Sequence, residues 1–329
     1  MFEANLTRMA AHCKANGKAL RPHAKAHKCV EVARRQLAAG AVGVCVATVD
    51  EAMWMARGGL PGILLTSPIA SFEKMRRVVE MRADVMVVVD HVRQVEMWEV
   101  VAREAGVRLP VLVDLDVGDH RTGVACGAAV ELAHAVKDPL KLRGVQAYSV
   151  SASHTEGFDT RRAHSLGCWA RAAETFEAMR RDGLPVEILT GASSGTWDID
   201  VAVPELAELQ AGSYVYHDMA YARIGVDFEP ALRIACTVVS VNTAGRVTVD
   251  AGFKALSVDR PFAPAAFGLP GVRYQFAGDE FGFLFGDTLP ELGDRVEMLP
   301  PHLDPTVNLY ERVYACRGER VEDVWEMKR

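Results

Sequence analysis

The stretch Ala19-Leu-Arg-Pro-His-Ala-Lys-Ala-His-Lys-Cys29 places Lys25 between His23 and His27, each two residues away. In an extended strand alternate side chains share a face, so His23, Lys25 and His27 are expected to point one way and Ala24 and Ala26 the other. A lysine is seldom buried without a task. If the shared face is the interior mouth of a barrel, burial and neighbouring positive charge lower the lysine pKa, and a neutral amine can condense with an aldehyde. The competing reading is a basic, solvated strand edge, because charged side chains are mostly exposed.

Outward from this stretch, short apolar runs alternate with longer amphipathic ones, the pattern of parallel strands joined by crossover helices. Strands are expected at Ala19–Ala26, Gly43–Val49, Gly62–Ser67, Val85–Asp90, Pro110–Asp116, Gly144–Ser149, Val186–Thr190 and Leu209–Tyr214. Helical periodicity fills the intervals, at Val30–Ala39, Asp50–Ala56, Phe72–Met81, Val92–Ala105, Ala128–Val136 and Arg161–Arg181. Eight such units predict a closed (β/α)8 TIM-like barrel over residues 1–225. The texture then changes: Ile234–Val241, Arg246–Asp250, Arg295–Met298, Glu311–Cys316 and Val321–Trp325 read as strands, which predicts a C-terminal all-β domain over 226–329. No low-complexity tract or short repeat interrupts either part.

The chain has 329 residues, half of them hydrophobic and 24% charged, with a net charge of −6 and no long basic run. That length suits two domains, and the charge argues against a nucleic-acid or anionic-membrane partner in favour of small-molecule chemistry. The seven cysteines are dispersed, odd in number and without a C-x-x-C pair, as in a reduced, cytoplasmic protein. No signal-peptide pattern and no membrane-length apolar run is present.

In a barrel the reacting groups lie at the carboxyl ends of strands. The polar residues of this chain collect there: Asp114, Asp116 and Arg121 at the fifth strand, Tyr148 and His154 at the sixth, and Thr190-Gly-Ala-Ser-Ser-Gly-Thr196 at the seventh. Taken singly, Asp114 and Asp116 fit helix caps, Tyr148 a half-buried core position and His154 a surface histidine. Their joint placement favours a site. The Gly-Ser loop ending at Gly195-Thr196 and Gly212-Ser213-Tyr214 at the eighth strand offer backbone N–H groups and hydroxyls for a phosphate from two sides. In Pro300-Pro-His-Leu-Asp-Pro-Thr306, an extended chain would put His302 and Asp304 on one face as paired ligands for a divalent metal.

Six stretches in order, Arg21–Lys28, Asp116–Val124, Gln146–Ser149, Thr190-Gly191 with Gly195-Thr196, Gly212–Val215 and Pro301–Asn308, resemble the D-threonine aldolase and D-serine dehydratase family. These are metal-activated, pyridoxal-phosphate-dependent enzymes of the alanine racemase-like fold, type III. The resemblance runs from about Leu20 to Trp325 and implies a cofactor-binding barrel, a β domain and a homodimer. By position it implies Lys25 as the Schiff-base lysine, with Arg121 at the pyridine ring and Tyr148 beside it. It places phosphate contacts at Gly195, Thr196, Gly212, Ser213 and Tyr214, metal ligands at His302 and Asp304, and the base for the substrate β-hydroxyl at His154.

The reaction so implied is retro-aldol cleavage of a D-3-hydroxy amino acid such as D-threonine into glycine and an aldehyde, with Mn²⁺ expected ahead of Mg²⁺ or Zn²⁺. Alternatives within the fold are a D-serine or D-threo-3-hydroxyaspartate dehydratase and a 3-hydroxy-D-aspartate aldolase. The dehydratases resemble a His-x-Cys pattern, whereas this chain carries Asp304, a harder ligand. A non-catalytic pyridoxal phosphate carrier resembles a lone barrel and needs neither the β domain nor His302-Leu303-Asp304. Three departures stand out. The chain starts at Met1-Phe-Glu where the family has a further apolar strand, so an unpaired edge is expected in the β domain. Gly191-Ala-Ser-Ser-Gly195 is less glycine-rich than the family loop, and Phe281 stands where relatives often have histidine.

Overall fold

The computed structural model describes residues 1–328. Nine strands form the first sheet: β1 (Ala19–Leu20), β2 (Val44–Val46), β3 (Ile63–Leu65), β4 (Val85–Val89), β5 (Leu109–Asp116), β6 (Val124–Ala125), β7 (Leu140–Ala147), β8 (Ile188–Gly191) and β9 (Glu208–Leu209). Eight of them run parallel in the order β1-β9-β8-β7-β5-β4-β3-β2, while β6 pairs only with β5. The ring closes through one parallel bridge between His23 and Cys45, with Val42 N–H donating to Leu20 O and Cys45 N–H to Pro22 O, both at 2.9 Å. The expected α/β barrel is present.

The central strands β2, β3 and β4 are apolar on both faces because helices cover the outside and side chains fill the inside. Val85–Val89 is buried at every position. Cys45, Leu64, Met86, Val88 and Leu112 form a separate cluster inside the ring, whereas their neighbours Val44, Ile63, Val87 and Val111 join the helix-covered core. Helix starts follow capping chemistry: Thr48 Oγ1 accepts from Glu51 N–H and Ser71 Oγ from Lys74 N–H. Gly144 sits at φ +151°, and a Cβ there would lie 1.9 Å from Ile188 O, so only glycine lets β7 approach β8 at this point.

The first strand is shorter than expected. Pro22 lacks an N–H and fixes φ, so the ladder cannot run through it. The chain instead turns into a 3₁₀ helix, Ala24–Ala26, whose N-cap His23 accepts the Lys25 N–H through Nδ1 at 3.4 Å. Lys25 therefore stands on a turn, and the shared face of His23, Lys25 and His27 is not formed. The expected last strand also stops early, at Leu209, and Ser213–Val215 is a second 3₁₀ turn.

Strands β10 (Ile234–Thr243), β11 (Arg246–Val249), β12 (Ala265–Ala266), β13 (Arg273–Phe276), β14 (Gly282–Phe285) and β15 (Arg295–Leu299) form an antiparallel closed barrel in the order β10-β11-β14-β13-β12-β15. Alternate residues Ile234, Cys236 and Val238, with Val247, Val249, Tyr274, Leu284, Val296 and Met298, fill its core. Closure gives each of these six strands two neighbours, so the barrel itself has no unpaired edge. The short strands β12, β13 and β14 escaped the sequence reading. After β15 the chain returns to the first barrel: Leu303 and Val307 of the helix Leu303–Val307 lie in its core. The hairpin β16 (Arg312–Arg317) and β17 (Arg320–Glu326) follows, and Met327 bridges to Cys29. Among the described residues no helix is long and apolar enough to cross a membrane.

Arg21 ties the closure together. Its Nε and Nη2 donate to the two Glu208 oxygens at 2.8 Å each, and Nη1 donates to Gly62 O. Both side chains are about nine-tenths buried. Arg21→Met leaves the Glu208 carboxylate buried and unpaired and should destabilise the protein by about 3–5 kcal/mol. Chemical denaturation measures this; a loss below about 1 kcal/mol, the scale of a surface pair, would show that the pair does not hold the closure.

Candidate active site

The interior of the first barrel changes from apolar to polar toward the carboxyl ends of its strands. Two residues beyond Leu112, Asp114 accepts from Gln146 Nε2 at 2.8 Å and from Thr122 Oγ1 at 3.0 Å. Gln146 Nε2 also donates to Thr66 O, and Gln210 Nε2 donates to Thr190 Oγ1 at 3.1 Å. Burial raises the Asp114 pKa to about 6, against the pull of its two hydrogen bonds. This hydrogen-bonded layer is the floor of a cavity of about 500 Å³.

The cavity wall carries His23, Lys25, Arg121, Tyr148, His154, Gly212, Ser213, His302 and Asp304. Lys25 Nζ lies 3.3 Å from Asp304 Oδ2 and 6.0 Å from the centroid of the Tyr148 ring, and Arg121 stands 5.4 Å from the same centroid. The expected depression of the lysine pKa is not found. Burial pulls it down as the largest single effect, but the Asp304 and Tyr148 charges and the hydrogen bond to Asp304 together raise it. The amine is an ammonium here because its neighbour is a carboxylate, not a second cation. His23 faces Thr66 Oγ1 at 3.0 Å. His27 is fully buried outside the cavity lining, accepts from Cys29 N–H at 3.1 Å and is held neutral by burial.

His302 and Asp304 meet in the cavity by a different geometry from the extended pair expected. His302 is the N-cap of the helix Leu303–Val307 and Asp304 lies in its first turn. The turn is clamped: Leu303 N–H donates to Asp218 Oδ2 at 2.8 Å, Thr306 Oγ1 donates to His302 O at 2.7 Å, and Ser257 bonds the His302 backbone. His302 Nδ1 is 2.5 Å from Asp259 Oδ2. That carboxylate fixes the tautomer in which Nε2 presents a lone pair, as carboxylates do for metal-bound histidines. Asp304 Oδ1 is buried without a hydrogen-bond partner. Among the described residues no group of three or more His, Cys, Asp or Glu side chains is placed to hold a metal. Two residues with an orphaned oxygen and an oriented imidazole fit a cation that keeps positions for water or substrate.

His154 ends the short helix Val150–Ser153 and stacks on Tyr221, with centroids 4.9 Å apart. Its Nε2 faces Arg260 Nη2 at 3.4 Å, and the same Nη2 is 3.3 Å from His302 Nε2. Burial first, and then Arg260 and His302, bring the His154 pKa down to about 4.

The phosphate loops divide. Ser193, Ser194, Gly212 and Ser213 line the cavity, and Gly212 is pressed against the Lys25 segment, since a Cβ there would lie 2.6 Å from His23 O. Gly195, Thr196 and Tyr214 do not line it: Thr196 Oγ1 donates to Asp200 at 2.5 Å and the buried Tyr214 hydroxyl accepts from Gln36 at 3.2 Å. Asp116 organises the loop beyond β5, accepting from Gly118 N–H at 2.8 Å and facing His120 Nδ1 at 2.6 Å. Phe281 is half-exposed and outside the lining. Asp259, Arg260, Gln146, Gln210 and Tyr221 are site residues that sequence reasoning missed. The alternation along β7 was a usable signal for Gln146, but no local pattern marks Asp259-Arg260.

A parallel α/β barrel with a lysine at its mouth, closed over by a segment that follows an antiparallel β domain, defines the alanine racemase-like fold. The profile of the alanine racemase N-terminal domain matches residues 1–220, and that of the serine dehydratase domain residues 231–316. A D-threonine aldolase of Arthrobacter sp is 36% identical over 99% of this chain and 89% of its own. A 3-hydroxy-D-aspartate aldolase of Paracoccus denitrificans (strain Pd 1222) is 33% identical over 98% and 88%. The crystal structure of D-threonine aldolase from Filomicrobium marinum superposes with a TM-score of 0.96 at 36% identity, over 99% of this chain and 91% of that one. The chain belongs to the D-threonine aldolase and D-serine dehydratase family, pyridoxal-phosphate enzymes of the alanine racemase-like fold that include metal-dependent aldolases and dehydratases.

The His154 environment makes a testable statement. In protein free of metal and cofactor the imidazole should titrate at about 4 by NMR, below its ordinary 6.5. Removing the facing charge in Arg260→Gln favours the protonated ring and should move the midpoint upward; an unchanged midpoint would separate the two groups.

Proposed function

We propose that this protein is a lyase that cleaves D-3-hydroxy amino acids between Cα and Cβ, yielding glycine and an aldehyde, with pyridoxal 5′-phosphate and a divalent metal. The observation that carries this reading is the meeting of Lys25 with Asp304, 3.3 Å apart, beside His302 and His154 in one cavity. These residues come from three separate parts of the chain. When bound, the cofactor supplies an electron sink for charge developing at Cα, and the metal supplies a Lewis acid for the substrate hydroxyl.

The chain's own groups do the rest. Lys25 is the amine that holds the cofactor aldehyde, and Asp304 keeps it oriented into the cavity. Tyr148 and Arg121 border the cofactor ring. Ser193, Ser194, Gly212 and Ser213 offer hydroxyls and backbone N–H groups to the phosphate, with Gly195, Thr196 and Tyr214 shaping those loops from outside the lining. His302 and Asp304 are the metal ligands; the carboxylate oxygen favours a hard ion, Mn²⁺ ahead of Mg²⁺ or Zn²⁺. His154, neutral because burial disfavours its charge, accepts the β-hydroxyl proton at Nε2. We assign residues 1–225 to the cofactor barrel and 226–329 to the β domain with its return segment. A homodimer and a cytoplasmic setting complete the reading, the latter supported by seven free cysteines.

Purified protein given pyridoxal phosphate, Mn²⁺ and D-threonine should release glycine and acetaldehyde. Appearance of 2-oxobutyrate and ammonia instead would mean that Cα deprotonation wins and the enzyme is a dehydratase. Lys25→Ala should abolish both the cofactor absorbance band and turnover, and His154→Ala should lower kcat by roughly 10²–10⁴-fold while the band persists. Asp259→Asn frees the His302 ring to choose the other tautomer and should weaken Mn²⁺ binding by roughly 10- to 100-fold in calorimetry. Unaltered metal affinity in that variant would show that Asp259 does not orient His302 for a metal.

A further inference from the structure

Behind the loop Ser193–Thr196 lies a carboxylate to which the chemistry above gives no task. Asp200 is 1% exposed, and its charged neighbour is Asp198, a second acid. Two hydroxyls hold it: Ser165 Oγ donates to Oδ1 at 2.6 Å and Thr196 Oγ1 donates to Oδ2 at 2.5 Å. A buried anion paired only with neutral donors is costly, and burial raises its pKa to about 6. Ser165 belongs to the long helix Phe158–Arg181, so the carboxylate anchors the loop to a rigid element. The loop is a partition between two cavities. Ser193 and Ser194 line the large one described above, Thr196 and Asp200 line a small one of about 20 Å³ behind it, and Ala192 borders both. Ala192 also sits in the left-handed region at φ +70°, a conformation that a residue with a Cβ keeps only where its surroundings impose it.

We infer that Asp200 is a positioning residue for the cofactor phosphate, acting from behind the loop through the hydroxyls of Thr196 and Ser193. The inference rests on the cofactor reading and extends it to a side chain outside the cavity that holds the cofactor. An ionised carboxylate only accepts, so the Thr196 proton is committed to Asp200. Ser193 Oγ lies 3.3 Å from Thr196 Oγ1 and accepts from Gly195 N–H at 3.0 Å. The hydroxyl proton left over in this chain is that of Ser193, and it can turn to an anion in the large cavity. Ser194 Oγ accepts from Tyr214 N–H at 2.9 Å, which ties the same loop to the second phosphate segment. Hydrogen bonds to a charged acceptor are the stronger kind, so Asp200 keeps the strained loop formed before the phosphate arrives, and a site already in its bound shape loses less freedom on binding. The cost of burying the carboxylate is thus met by a loop whose donors are fixed in advance.

The test titrates cofactor-free protein with pyridoxal phosphate and with pyridoxal, the same aldehyde without the phosphate, and follows the cofactor absorbance band. At about pH 8 the phosphate is doubly ionised, and Asp200, with its pKa of about 6, is a carboxylate. Wild type should prefer the phosphate ester. Asp200→Asn and Thr196→Val should each lower that preference by roughly 10-fold, the scale of one hydrogen bond to a charged group, with pyridoxal affinity unchanged. Thr196→Ser keeps the hydroxyl and should keep the preference. The double variant should lose no more than the larger single loss, because both changes break one chain. Thermal unfolding of each variant reports folding separately, and if Asp200→Asn does not fold, Thr196→Val against Thr196→Ser decides. Equal losses for the two ligands, or a preference unchanged in both variants, would reduce Asp200 to a structural carboxylate and overturn the inference. Tighter binding of pyridoxal phosphate by Asp200→Asn would overturn it as well, by showing that the buried charge repels the phosphate. If wild type itself does not prefer the phosphate ester, the placement of the phosphate at this loop fails, and the inference falls with it.

Discussion

The Lys25 ammonium and the Asp304 carboxylate, 3.3 Å apart, join the mouth of the first barrel to the helix that follows the β domain. Each group is brought there by the residues that flank it. Lys25 reaches the cavity because Pro22 ends β1 and His23 caps a 3₁₀ turn, while Ala24 and Ala26 are small enough to be fully buried beneath it. Asp304 reaches it because Leu303 and Val307 are buried in the core of the first barrel, which draws the helix down onto the mouth. The apolar contact supplies the free energy, and the ion pair selects the register in which the helix sits.

Below that contact lies the polar layer of Asp114, Gln146, Thr190 and Gln210. Each amide or hydroxyl there is matched to a neighbour, which is what allows a polar floor inside a barrel whose lower part is Leu64, Val88 and Leu112. Asp114 shows the cost of the arrangement: two hydrogen bonds do not offset its burial, and its pKa stays near about 6.

Much of this was legible from residue pattern. Val85–Val89 announces a parallel strand because burial on both faces leaves no polar position, Leu109–Asp116 turns polar only at Asp114 and Asp116, and the His302-Leu303-Asp304 triplet stands out between prolines. What was not legible follows from tertiary context. Period-2 spacing in His-Ala-Lys-Ala-His reads as a strand, and only the proline before it and the burial of both alanines show why it becomes a turn. The two-residue strand Ala265–Ala266 carries too little pattern to be seen, and it is the element that pairs with β15 to close the second barrel. Asp259 and Arg260 sit in a loop with no repeat, so their meeting with His302 and His154 depends on how that barrel docks. The sign of the Lys25 shift was missed for the same reason, since Asp304 is distant in sequence.

The choice of a carboxylate at position 304 has a consequence that a thiolate would not share. Asp304 has two oxygens in different circumstances: Oδ2 is engaged by the Lys25 ammonium, while Oδ1 is buried with no partner. Under the proposed function one side chain would thus serve two partners, the Lys25 amine beside one oxygen and a cation that the other would be free to hold. A cysteine sulfur would have to serve both from a single atom, bringing the amine and the metal into mutual repulsion across it. Under the proposed function, splitting the charge over two atoms would leave one oxygen for the lysine and the other for the cation, so that both could be held by one side chain at the mouth of the cavity.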